Sequence, residues 1–230
     1  MTEETPARAG LTGSGTAPPD GVLDLLGLLA YAQLVAFFRL SDDAALAVSL
    51  ADKAALAEMA AAEFGHFQLV RRRIEELSAD PWAQMAPFVA AVDDFHARTA
   101  PSDWLEGLVK AYVGEGVAAD FYRAVATALD EPTQALVLEV LADAGHAQFV
   151  IGKVRAAIDA DPRLAGRLAL WARRLVGEAT AQAQRVAAEH EPLARLLAGD
   201  QGSQLGSVGR VLARIADEHA DRMTTLGLNP

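Results

Sequence analysis

Apolar residues recur at helical spacing from about residue 21 to about residue 225, and no segment sustains the period-two alternation of a half-buried strand. That pattern restricts the chain to an all-α fold whose helix starts and stops can be read locally. Asp20 can cap a helix over about 21–40, Ser49 one over about 50–78, and Asp80-Pro81 a shorter one to about Ala97. Ser102 or Asp103 opens a fourth over about 103–129, and Asp103 with Glu106 three residues on is box-like. Asp130-Glu131-Pro132 opens a fifth to about 159, and Asp161-Pro162 a sixth to about 190. Residues 199–206 read as a loop, and a last helix over about 207–225 stops at Gly227. Long helices joined by short loops make an antiparallel bundle. Residues 1–19, rich in Thr, Gly, Ala and Pro without periodicity, read as a flexible tail before a single domain over 20–228.

Composition agrees: 49 alanines and 17 arginines against 4 isoleucines favour helix over sheet. There is no cysteine, which excludes disulfides, thiolate metal sites and thiol nucleophiles. A net charge of −11 argues against a surface that tracks phosphates. Arg71, Arg72 and Arg73 form the one tight basic run and point in different directions around a helix, as a solvated face would. The most apolar stretch, Leu25–Phe38, is too short for a bilayer and contains Gln33. Glu3 and Glu4 stand where a signal peptide carries positive charge, so a cytoplasmic protein is expected.

The informative residues are polar ones on apolar stripes. Gln33 falls among Val22, Leu26, Leu29, Phe37 and Leu40; Glu63 and His66 fall among Met59, Ala62, Val70 and Leu77. Glu115 shares a face with Leu108, Tyr112, Ala119 and Tyr122; Asp143 and His146 share one with Leu136, Val140, Val150 and Val154. Buried carboxylates need protons, arginines or metal as compensation. Residues three apart lie on one side of a helix, so Glu63-x-x-His66 and Asp143-x-x-His146 can each offer an oxygen and a nitrogen to one cation, a mixed set that suits iron or manganese. The alternative for each pair is a buried i,i+3 ion pair, and for Glu115 a buried acid held by an arginine.

An acid three residues before a histidine is a cheap coincidence. Asp93-x-x-His96 has it too and reads as a surface pair on the short third helix. The flanks add weight: residues 62–70 (AEFGHFQLV) and 142–150 (ADAGHAQFV) repeat Ala, acid, Gly, His, Gln and Val at the same offsets. Two helix pairs of this kind imply a pseudo-two-fold bundle that brings the acid–His pairs together. Glu139 could replace a missing ligand, Asp120 is expected to pair with Arg123, and Glu178 and His219 are expected as packing polar residues. Tyr31 and Tyr112 are expected in the core with their hydroxyls reaching the polar centre.

The stretches LLAYAQLVAFFRL, MAAAEFGHFQLV, AYVGEGVAADFYRAV, LADAGHAQFV and LALWARRLVGEATAQAQRVAAE resemble the ferritin-like superfamily, in particular its tRNA hydroxylase-like branch. The resemblance covers most of 21–228. It implies a four-helix bundle with additional C-terminal helices, a di-iron-type site and O₂ chemistry of the hydroxylase or oxidase kind. In that pattern Gln33 and Asp143 stand where glutamates are usual, the first without a charge and the second one methylene shorter. Three carboxylates then leave two divalent cations one charge short of neutral.

Three function classes follow: an iron-dependent oxidase or hydroxylase, a metal-binding protein without turnover, and a metal-free structural or interaction bundle. A small-molecule substrate is expected over nucleic acid, since a tRNA partner fits poorly with the acidic balance. A homodimer is expected through apolar surface at Leu168, Trp171 and Leu175.

Overall fold

A computed structural model describes residues 21–77, 79–142, 146–198 and 204–230. Ten α-helices occur among the described residues: α1 (Val22–Asp43), α2 (Leu50–Glu76), α3 (Pro81–Met85), α4 (Val89–Arg98), α5 (Trp104–Val125), α6 (Glu131–Val140), α7 (His146–Ala160), α8 (Arg163–Glu189), α9 (Glu191–Ala198) and α10 (Gln204–Thr225). No strand occurs among them, as the periodicity requires.

Local chemistry sets most of the helix starts. The Ser49 side chain accepts from Asp52 N, Asp80 from Trp82 N, Asp103 from Glu106 N and Asp130 from Thr133 N. Each satisfies an amide that the helix itself leaves unpaired. Glu106 does not close a capping box; its carboxylate takes Ser102 N and Oγ instead. Asp20 lies outside the described residues, and the position before α1 is Gly21 at φ 90°.

The expected third helix is interrupted: α3 gives way to a 3₁₀ turn over Ala86–Phe88 containing Pro87, and α4 follows. The expected fifth helix is two, because α6 ends at Val140 and α7 begins at His146. The sixth starts at Arg163 rather than Pro162, a short α9 follows it, and the last helix starts at Gln204.

Two apolar clusters define the two ends of the bundle. One joins Leu25, Leu26 and Leu29 of α1 to Val70 and Ile74 of α2, Tyr122 and Val125 of α5, Val137 of α6 and Val186 of α8. The other joins Leu40 to Leu56 and Met59, Leu108 and Val113, Val150 and Val154, and Leu168 and Leu175. Helices α1 and α6–α7 therefore run from the first cluster to the second, while α2, α5 and α8 run back. Because α2 and α5 point the same way, the chain must return between them, and α3 and α4 form that crossover. Single-crossover four-helix bundles have this arrangement. Helix α3 packs on α1, α4 on α8, and α8 and α10 cover α5.

Two expectations are corrected here. Leu168, Trp171 and Leu175 are buried within the chain, and Trp171 Nε1 donates to Glu106 O at 2.9 Å, so they cannot form an interface between copies. The large exposed apolar side chains include Phe38, Val48, Leu50 and Leu170 instead. Helix α1 with the turn after it, Val22–Leu46, is long and apolar enough to cross a membrane. In this fold, however, Val22, Leu25, Leu26 and Leu29 are fully enclosed by the bundle.

Candidate metal centre

The two apolar clusters part along α1, α2 and α5 and between α6 and α7, and polar residues sit in those gaps. On α1 the break between Ala30 and Leu40 holds Gln33; on α2 the break between Ala60 and Phe67 holds Glu63 and His66. On α5 the break between Val113 and Tyr122 holds Glu115, and His146 opens α7 between Val140 and Val150. Gln33, Glu63, His66, Glu115 and His146 all line one cavity of about 590 Å³. Asp143 lies outside the described residues. The i,i+3 pairing expected for Asp143 and His146 therefore lies partly outside the described residues, of which His146 is the first in α7.

Glu63 differs from the other buried acids. Asp52 is buried with Lys153 Nζ 2.5 Å from its carboxylate, and Glu106 with Arg167 Nη1 at 2.7 Å. Glu63 is 7% exposed, with no lysine or arginine within ion-pair distance among the described residues, and His66 Nδ1 lies 3.7 Å from its Oε2. That separation is beyond hydrogen-bonding reach. His66 Nδ1 is itself buried and makes no hydrogen bond among the described residues. Still, no three His, Asp or Glu side chains among the described residues are close enough together to hold a metal ion.

The remaining candidates divide. Tyr112 and Tyr122 line the cavity, and burial raises the Tyr122 hydroxyl pKa. The Tyr31 hydroxyl turns outward and donates to Asp93 Oδ1 at 2.8 Å; burial and that carboxylate push its pKa up to about 12. Glu139 is exposed and borders, with His66, Arg71 and Arg72, a separate depression. Glu178 and His219 do not line the cavity. His219 is 4% exposed, and burial, then Arg222, lowers its pKa to about 4. Asp120 does face Arg123, at 3.7 Å, but its tighter partner is Arg222 of α10 at 2.7 Å. Arg73, taken as part of a solvated run, is mostly buried and ties α2 to the start of α6 through Asp130 (2.8 Å) and Thr133 (3.0 Å).

The sequence reading missed a second polar group in the same cavity: Arg39 and Asp43 of α1, His96 of α4 and Lys110 of α5. His96 is not the expected surface partner of Asp93. Its Nδ1 is buried without a hydrogen bond among the described residues, and burial, then Lys110 and Arg39, lowers its pKa to about 3. Lys110 is 6% exposed and donates to Thr99 O at 2.6 Å. A lysine three residues before Val113 on an apolar stripe was the available signal.

A family model described as a ferritin-like domain of actinomycetes matches residues 19–200. No curated protein matches the chain. With the crossover bundle and the mid-bundle cavity, the match over most of the sequence establishes that this chain belongs to the ferritin-like domain family of actinomycetes.

Proposed function

We propose that the protein is a ferritin-like metal protein in which Glu63, His66, Glu115 and His146, with Gln33 and Asp143, hold iron, manganese being the alternative cation. The observation that carries this reading is Glu63, a buried carboxylate with no lysine or arginine within ion-pair distance among the described residues and with the His66 imidazole too far away to hydrogen-bond. The two other acids classed as buried among the described residues, Asp52 and Glu106, have a cation at 2.7 Å or less. Imidazole nitrogens, carboxylates and an amide oxygen suit iron or manganese, and the unpaired His66 Nδ1 is a free donor atom for such an ion. Since no three acid or histidine donors among the described residues already converge, the proposed centre closes around its cation. Glu63 and His66 are its fixed pair, and Glu115 and His146 line the same cavity.

When bound, the metal would supply O₂ chemistry of the hydroxylase or oxidase kind. The chain's own residues supply a mostly apolar wall and room for a small substrate. The tRNA hydroxylase-like branch enters this reading through the matching stretches alone. A net charge of −11 favours a small molecule over a polyanion. The competing reading, a metal-free structural bundle, draws on the lack of three convergent donors.

Chelation separates the two. A cation that binds only the folded state at a hundredfold excess over Kd stabilises it by about 2.7 kcal/mol. The metal reading predicts a melting temperature that falls with chelator and recovers with Fe(II), and a Glu63→Ala/His66→Ala variant that does neither. Equal responses in both proteins would support the metal-free bundle.

A further inference from the structure

The second polar group sits at one end of the cavity, displaced along the bundle from the candidate metal centre. Arg39 lies six residues beyond Gln33 on α1, and Lys110 lies five before Glu115 on α5. At 1.5 Å per residue both are roughly 8–9 Å along the axis from the donors, on the same side. His96 joins them from the crossover, and the Phe95 ring lies 5.7 Å from Lys110 Nζ.

This group is built as a receptor for one negative charge. Within the cavity Arg39 and Lys110 bring two positive charges and Asp43 one negative; Asp42, 73% exposed and outside the lining, lies 3.7 Å from Arg39. An ammonium has three donors, and Lys110 uses one, on Thr99 O. No acid lies within ion-pair distance of it among the described residues. Asp43 sits near Gly107, one turn before Lys110, and burial raises its pKa, weakening it as a permanent counterion. His96 adds a buried nitrogen that lacks a partner, and such atoms are rare unless a ligand or water satisfies them. Arg39 is 50% exposed, so it borders both cavity and solvent. On α1 the cavity wall from this end toward the Glu63 level is apolar, with Ala36 between Arg39 and Gln33 and Ala32 beside Gln33.

We propose that this end of the cavity binds the carboxylate of an apolar monocarboxylic acid of fatty-acid type, with Lys110 and Arg39 on the carboxylate, His96 Nδ1 hydrogen-bonded to it, and the hydrocarbon lying along α1 toward Glu63. The cavity volume of about 590 Å³ is in the range of small-molecule pockets. The axial distance of roughly 8–9 Å corresponds to about seven chain bonds, given about 3.5 Å for each three bonds of an extended chain. A neutral His96 in its Nδ1–H tautomer donates one hydrogen bond to the carboxylate without adding charge. The inference rests on the cavity and not on the metal.

The test is isothermal titration of chelator-treated full-length protein with octanoate, octan-1-ol and acetate at pH 7. Octanoate is expected to bind one per chain and at least tenfold tighter than either control, which lack the charge or the chain. Lys110→Met keeps the stem and removes the charge; it should abolish the preference for octanoate over octanol. If Lys110→Met does not fold, Arg39→Gln at the half-exposed rim decides, with at least a threefold loss of octanoate affinity expected. No octanoate binding to the wild-type protein, equal affinity for octanol, or unchanged affinity in the folded variants would overturn the proposal.

Discussion

Arg222 Nη1 lies 2.7 Å from Asp120 Oδ2, joining α10 to α5 through two side chains that are 12% and 8% exposed. The Arg222 stem crosses α5 at Gly116, where a Cβ would come within 2.5 Å of Arg222 Cδ. Helix α10 lies beyond the stretch the family model matches, yet its Leu212, Ile215 and Arg222 wall the cavity beside Glu115.

Breaking a buried pair by removing one charge strands the other, at a cost of about 3–5 kcal/mol. Asp120→Asn is expected to lose that much by urea denaturation. A loss under about 1 kcal/mol would show the pair to be solvent-screened and α10 to be loosely held.

Gly27 faces the crossover: a Cβ there would collide with the Gln84 carbonyl of α3. In an open helix, Gly→Ala stabilises by about 1 kcal/mol. Here backbone meets backbone and neither can rotate away, so Gly27→Ala should destabilise by about 1–3 kcal/mol instead. Thermal melts give the sign, and a stabilised variant would place the crossover farther from α1.

Burial, the largest cause at both sites, holds His96 at about 3 and His219 at about 4. The unfolded histidines take up protons near the ordinary value of 6.5, so the folded chain binds fewer. Stability is therefore full above pH 6.5 and falls as pH drops through 6.5 toward 4, by roughly 1 kcal/mol per histidine per unit. Between pH 6.5 and 5 few carboxylates titrate, so a His96→Gln/His219→Gln variant should show a flatter profile there. The same slope in both proteins would contradict the assignment.

Gln33 lines the cavity at the level of Glu63. Gln33→Glu is nearly isosteric, so packing should barely change. With a cation present, the added charge should raise bound iron from about one toward two per chain and stabilise the loaded protein. A variant that melts lower with iron and binds no more of it would make Gln33 a core amide.

What the sequence made legible was local or periodic. Ser49, Asp80, Asp103 and Asp130 cap helices at the starts read from the sequence, because a cap depends on residues two or three apart and on little else. The level of the polar layer was legible because Gln33, Glu63, His66, Glu115 and His146 interrupt apolar stripes that packing must bury. What depended on tertiary packing was not. The apolar spacing from Leu136 to Val154 runs through the break between α6 and α7, so periodicity alone could not mark it. His96 looked like the partner of Asp93, but Asp93 is taken by Tyr31, and the crossover's seat on α8 turns His96 inward. Trp171 looked free for a second copy because nothing in the sequence shows that its own chain's Glu106 carbonyl receives it.

The central claim is that Glu63 and His66 anchor a metal. The most direct measurement loads the full chain with Fe(II) under anaerobic conditions, removes unbound metal, and counts iron per chain in the wild type and in Glu63→Ala/His66→Ala. The account predicts at least one iron per wild-type chain and a near-complete loss in the variant. Iron near zero in both, or equal in both, would contradict it.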